Sequence, residues 1–145
     1  MQIFDGQLVY SATDLIGHGD CSHMTSLSIA HKLELADIEP TIAAGMAALA
    51  GVRGGEHEQK VLDHMKSRGL KVTDFTDLPH GTRQELLESA AKTKAALDRG
   101  DQLVYQGILF DGTFLGYPDF LIRIDDPKYK LGYTYEVWDA KLKRS

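Results

Sequence analysis

Two runs near the C-terminal end carry the side chains best suited to chemistry. One is Gly116-Tyr117-Pro118-Asp119-Phe120-Leu121-Ile122-Arg123-Ile124; the other is Glu136-Val137-Trp138-Asp139-Ala140-Lys141. In a strand, successive side chains point to opposite faces. Pro118, Phe120, Ile122 and Ile124 then share one face and Asp119 takes the other. Asp139 and Lys141 share a face opposite Trp138, Ala140 and Leu142. If the strands pair, both carboxylates and the ammonium can meet on one side of the sheet. Two carboxylates at close range repel, and a cation between them relieves this. A hard divalent ion such as Mg2+ prefers such oxygen ligands. The same alternation also fits a half-solvated strand, with Asp139 and Lys141 as an ordinary surface pair.

The elements needed to position these groups are readable in outline. Leu103 to Phe110 reads as a strand, Asp111-Gly112 as a hairpin turn, and Phe114 to Ile124 as its partner. Tyr133 to Leu142 is the final strand. Leu70 to Phe75 is an earlier one, and a helix from a Thr82 cap to about Leu97 carries Glu85 in place for a capping box. Glu56 to Lys66, entered from Gly54-Gly55, has helical spacing of Val61, Leu62 and Met65. His57 lies four residues before Val61, on or near that apolar stripe, and His64 falls near the same face. At the N-terminus the chain is extended and turns at Asp5-Gly6. Ser11 caps a short helix that Gly17 and Gly19 should break. Cys21 to Leu35 resumes a helix with Met24, Leu27, Ala30 (or His31) and Leu35 roughly on one face, and Pro40 closes that region. Helices alternating with strands predict an α/β or α+β domain: a mixed sheet flanked by helices.

Composition narrows the function classes. The 145 residues suffice for one domain with a real core. With 16 basic and 21 acidic residues the net charge is −5, so bulk attraction for nucleic acid is excluded and any such contact must be local. No basic-then-apolar leader or membrane span is visible, and a cytoplasmic location follows by default. The single cysteine, Cys21, has no internal disulfide partner. Neither a dinucleotide-fold nor a P-loop glycine pattern is present.

A histidine at a helix start, an acid on a strand and acid-x-lysine on the next together resemble the RecB-like branch of the PD-(D/E)xK nuclease superfamily. The chain is most similar to the nuclease domains found N-terminal to a helicase domain in bacterial proteins. The matching pieces are Tyr10-Ser11-Ala12-Thr13-Asp14-Leu15, Cys21-Ser22-His23, Gly55-Glu56-His57-Glu58, Tyr105-Gln106-Gly107-Ile108-Leu109, Gly116-Tyr117-Pro118-Asp119-Phe120-Leu121 and Tyr135-Glu136-Val137-Trp138-Asp139-Ala140-Lys141-Leu142. The resemblance implies a restriction-endonuclease-like mixed sheet flanked by helices. It implies a metal-dependent DNA nuclease, acting in DNA repair or recombination, with Mg2+ or Mn2+. His57, Asp119, Asp139 and the Ala140 backbone carbonyl would hold the metal. Lys141 would be catalytic beside Asp119 and Asp139, orienting water or stabilising developing charge. DNA, single-stranded or with ends, and a helicase domain in the full-length protein are the implied partners. The alternative within the same fold is a noncatalytic nucleic-acid-binding or docking remnant.

Two departures from the family pattern shape the expectations. The helix with Gln-x-x-x-Tyr that follows the catalytic strand has no counterpart before Ser145, so residues 1–145 read as a single nuclease domain truncated at its C-terminus. Cys21 stands where the first of four cluster cysteines would be. A 4Fe–4S cluster is therefore implied only for a longer chain, and otherwise Cys21 is expected as a buried, unreactive thiol. His18, His23, His31 and His80 are expected to cap, solvate or pack.

Overall fold

Asp5 and Gly6, with φ of +51° and +74°, form the left-handed pair that a two-residue hairpin turn requires. They join β1 (Gln2–Phe4) to β2 (Gln7–Ser11) in antiparallel register. The computed structural model describes residues 1–38 and 46–140, with the backbone alone for 46–54. Pro40 and Lys141 lie outside the described residues.

Ser11 caps α1 (Ala12–Asp20). Its backbone N–H donates to the Asp14 carboxylate at 2.7 Å, and the Asp14 N–H returns to Ser11 Oγ at 3.3 Å. The helix runs through Gly17 and Gly19 rather than breaking there, and α2 (Ser22–Lys32) follows after Cys21. The two helices pack on each other and bury no side chain. The apolar face expected on α2 is therefore not a core face: Met24 and, just past the helix, Leu35 are 58% and 73% exposed, and Leu27 is half-buried. Cys21 is exposed, not buried.

Next comes α3 (Met46–Ser67), which starts well before the expected Gly54-Gly55 boundary. Gly51, Gly54 and Gly55 inside this 22-residue helix cost about 1 kcal/mol each relative to alanine, and the helix runs through all three. Then come β3 (Val72–Asp74) and α4 (Arg83–Arg99), the latter with the capping box of Thr82 and Glu85 and a left-handed Gly100 at its end. The remaining strands are β4 (Leu103–Tyr105), β5 (Leu109–Phe110), β6 (Phe114–Gly116), β7 (Phe120–Asp125) and β8 (Tyr133–Trp138).

The described residues form a mixed α/β structure of two mixed four-stranded sheets and four helices. The strand orders are β1-β2-β6-β5 and β3-β4-β7-β8. The second sheet lies between two helices. On one face Leu62 and Met65 of α3 meet Leu103, Tyr105 and Phe120. On the other, Ala96 of α4 meets Val104 and Leu121. The first half of α4 reaches the other sheet, where Leu86 packs with Val9, Ile108 and Leu115. No helix among the described residues is long and apolar enough to cross a membrane.

The two sheets are joined by one bent hairpin. The expected strands 103–110 and 114–124 pair as anticipated but are each broken in the middle. Leu103↔Ile122 and Tyr105↔Phe120 belong to one sheet, Leu109↔Gly116 and Phe110↔Leu115 to the other, and all four follow one continuous register. At the break Gln106 stands opposite Asp119, and the Gln106 N–H donates to the Asp119 carbonyl at 3.0 Å. Gln106 is left-handed, with φ +53°. Thr93 of α4 holds the bend from below: its buried Oγ1 accepts the Ile108 N–H at 3.0 Å. Gly107 fits here because an added Cβ would lie 3.0 Å from Thr93 Cγ2.

Candidate metal centre

The site begins with the register of β7 and β8. Phe120 pairs with Trp138 in antiparallel alignment, so the residues one step beyond, Asp119 and Asp139, face each other across the two strands. The bend at 117–119 frees Asp119 from the ladder at this point. β8 is fixed by its other end: the Tyr133 hydroxyl donates to the Leu97 and Asp98 carbonyls at 3.1 and 2.9 Å, and the Tyr135 hydroxyl to the Asp101 carbonyl at 2.7 Å. Both Leu97 and Asp98 lie in the last turn of α4, where the Leu97 carbonyl also accepts the Gly100 N–H at 3.0 Å.

The two acids meet. The Asp139 carboxyl is within hydrogen-bonding reach of Asp119, and the Ala140 N–H donates to Asp119 Oδ2 at 2.7 Å. Half-burial, the strongest influence, pushes the Asp119 carboxyl up, and the Ala140 N–H pulls it down. The hydrogen bond to Asp139 and the charges of Glu58 and Asp139 push it up again, to about 6 from 3.8. The upward push is what neighbouring carboxyls produce, because each disfavours ionisation of the other.

The third acid is Glu58, which the sequence reading left without a role. It sits half-buried on α3, four and seven residues before the buried Leu62 and Met65, and so on the stripe that faces the sheet. Two donors from the end of β4 hold its carboxylate: the Tyr105 hydroxyl and the Gln106 side-chain amide. Burial, then Glu58, keeps that hydroxyl protonated, pushing it up to about 12. The left-handed backbone of Gln106 therefore stands at the residue that reaches across to α3. The signal was available: a 58–62–65 spacing picks out Glu58, whereas centring the stripe on Val61 picks out His57.

The other candidates are placed as follows. His57 is half-buried on α3, about 100° around the helix from Glu58. His64 is exposed on the same helix. Ala140 contributes its N–H to Asp119, and its methyl packs against the core of α3 and the sheet. Glu136 points away from Asp139, opposite Ile122, and accepts the Trp138 indole N–H at 3.2 Å.

Asp119 and Asp139 offer oxygen donors of the kind a hard divalent cation prefers, and Glu58 is near enough for its charge to act on Asp119. Among the described residues no group of three His, Cys, Asp or Glu side chains is placed to hold a metal ion as it stands. Comparison of the chain with protein-family models, with curated proteins and with solved structures finds no match in any of the three.

Proposed function

We propose that this chain is a metal-dependent deoxyribonuclease with a restriction-endonuclease-like core, of the RecB-like branch of the PD-(D/E)xK superfamily. The observation that carries the reading is the meeting of Asp119 and Asp139 at the ends of paired strands, with Glu58 acting on the same carboxyl. Asp119 and Asp139 meet with Glu58 nearby, and carboxylates are the oxygen ligands that hard divalent cations take. They are suited to holding a divalent cation, Mg2+ or Mn2+, against a phosphodiester. A cation held there supplies Lewis acidity and neutralises charge during hydrolysis. Asp119 and Asp139 hold it, the Ala140 N–H fixes the Asp119 carboxylate, and Tyr105 and Gln106 fix Glu58. Lys141, two residues after Asp139, stabilises the charge that develops on the phosphoryl group. DNA that is single-stranded or has ends is the substrate, in repair or recombination, with a helicase domain as partner in a longer chain.

The test is cleavage of end-labelled single-stranded DNA in 5 mM MnCl2, compared with EDTA and with Asp119→Asn. Cleavage that needs manganese and is lost in the variant is expected. Equal cleavage by the variant would overturn the assignment. Binding of DNA without any cleavage would turn it to the noncatalytic alternative.

A further inference from the structure

The bend that positions Asp119 also opens a second space on the same two strands. A cavity of about 350 Å3 is lined by Phe75, Thr76, His80, Gln106, Ile108 and Tyr117. Tyr117 lies two residues before Asp119, and two extended residues span roughly 7 Å, so the cavity wall begins close beside the acids. His80 sets its ring edge-to-face against Tyr117, with centroids 6.0 Å apart and planes at 72°. The His80 ring is oriented by Nδ1, which lies 2.9 Å from the Leu78 carbonyl. A carbonyl only accepts, so Nδ1 carries the proton, and in the neutral ring Nε2 is an acceptor. Tyr117 remains 44% exposed, leaving ring surface for a ligand. Phe75 and Ile108 add apolar walls, and Thr76 and Gln106 add hydrogen-bonding groups.

We propose that this cavity is a nucleobase subsite that takes the base next to the scissile phosphate of a single strand; it rests on the nuclease reading. The volume is near the lower end for ligand pockets and suits one planar heterocycle. The aromatic pair offers stacking, which every base can use. The chemistry also answers a problem of charge. A chain of net charge −5 gains little from bulk attraction for phosphates, so contacts to bases are a natural source of affinity.

The experiment is fluorescence anisotropy of a labelled oligodeoxythymidine with the full chain, in calcium, alongside an abasic oligomer with the same phosphates. Wild type is expected to bind the base-bearing oligomer at least tenfold more tightly. Tyr117→Ala should weaken that binding about tenfold and leave the abasic oligomer unaffected, while Tyr117→Trp, which keeps a stacking ring, retains it. Equal loss on both oligomers, no loss in Tyr117→Ala, or no preference for bases would overturn the subsite. Cleavage in manganese separates the two readings. Base-dependent binding through Tyr117 without cleavage upholds the subsite and removes the nuclease, whereas cleavage indifferent to Tyr117 and to bases removes the subsite alone.

Discussion

Asp119 Oδ2 accepts the Ala140 N–H at 2.7 Å, so the acid of one strand is latched to the backbone just after the acid of the next. The latch holds the two carboxyls at one end of the β7–β8 ladder, where the bend at Pro118 releases Asp119 from regular pairing. Burial and the neighbouring acids then make a proton, or a cation in its place, part of the site.

That proton gives the first prediction. The Asp119 carboxyl titrates near 6 in the fold against 3.8 as its ordinary value, so the native state binds the proton more tightly than the unfolded chain. Its contribution to stability is fully present below about pH 4 and is lost as pH rises through 6. Thermal melts from pH 4.5 to 8 should show this fall in wild type, and a smaller one in Asp119→Asn. Manganese at 1 mM should raise the melting temperature little at pH 5 and increasingly through pH 6 to 7.5, because the ion must displace the proton.

Gln106 separates strain from function. Its left-handed backbone costs roughly 1 kcal/mol for a residue with a Cβ. Gln106→Gly relieves that cost and Gln106→Ala does not, but both remove the amide that holds Glu58. In urea denaturation the glycine variant should be more stable than the alanine variant by about 1 kcal/mol. Both should show a reduced manganese-induced rise in melting temperature. A full rise in both would mean that the Gln106–Glu58 contact does not serve the site.

Thr93 anchors the bend from α4. Thr93→Val keeps the shape but removes the acceptor for the buried Ile108 N–H, and should cost about 1–3 kcal/mol in urea denaturation. Thr93→Ser keeps the oxygen and should recover most of that hydrogen-bond loss. Equal stability of the valine variant and wild type would show that the bend is held elsewhere.

Strand parity made legible that Asp119 and Asp139 could share a sheet face, but their direct facing depends on the β7–β8 register across the 126–132 connection, which the sequence left open. The capped starts of α1 and α4 were legible because Ser11 and Thr82 each precede an acid by three residues, and the signal is local. The bend was not legible, since nothing in the preferences of glutamine demands a positive φ at Gln106. That conformation follows from tertiary contacts at Gly107 and Thr93. Pro118, a residue without an N–H in the middle of an apparent strand, was the one local hint. Glu58 was missed because Val61, Leu62 and Met65 admit two stripe centres, and only packing on Phe120 and Leu103 selects the one that carries it. The apolar spacing of α2 was misleading because α2 packs on α1 and buries none of its side chains.

If Asp119 and Asp139 hold a divalent cation, calorimetric titration of Mn2+ into the chain at pH 7.5 reads it out. One saturable site is expected in wild type, weakened at least tenfold in Asp119→Asn and in Asp139→Asn. Isotherms that superimpose for wild type and both variants would contradict the account.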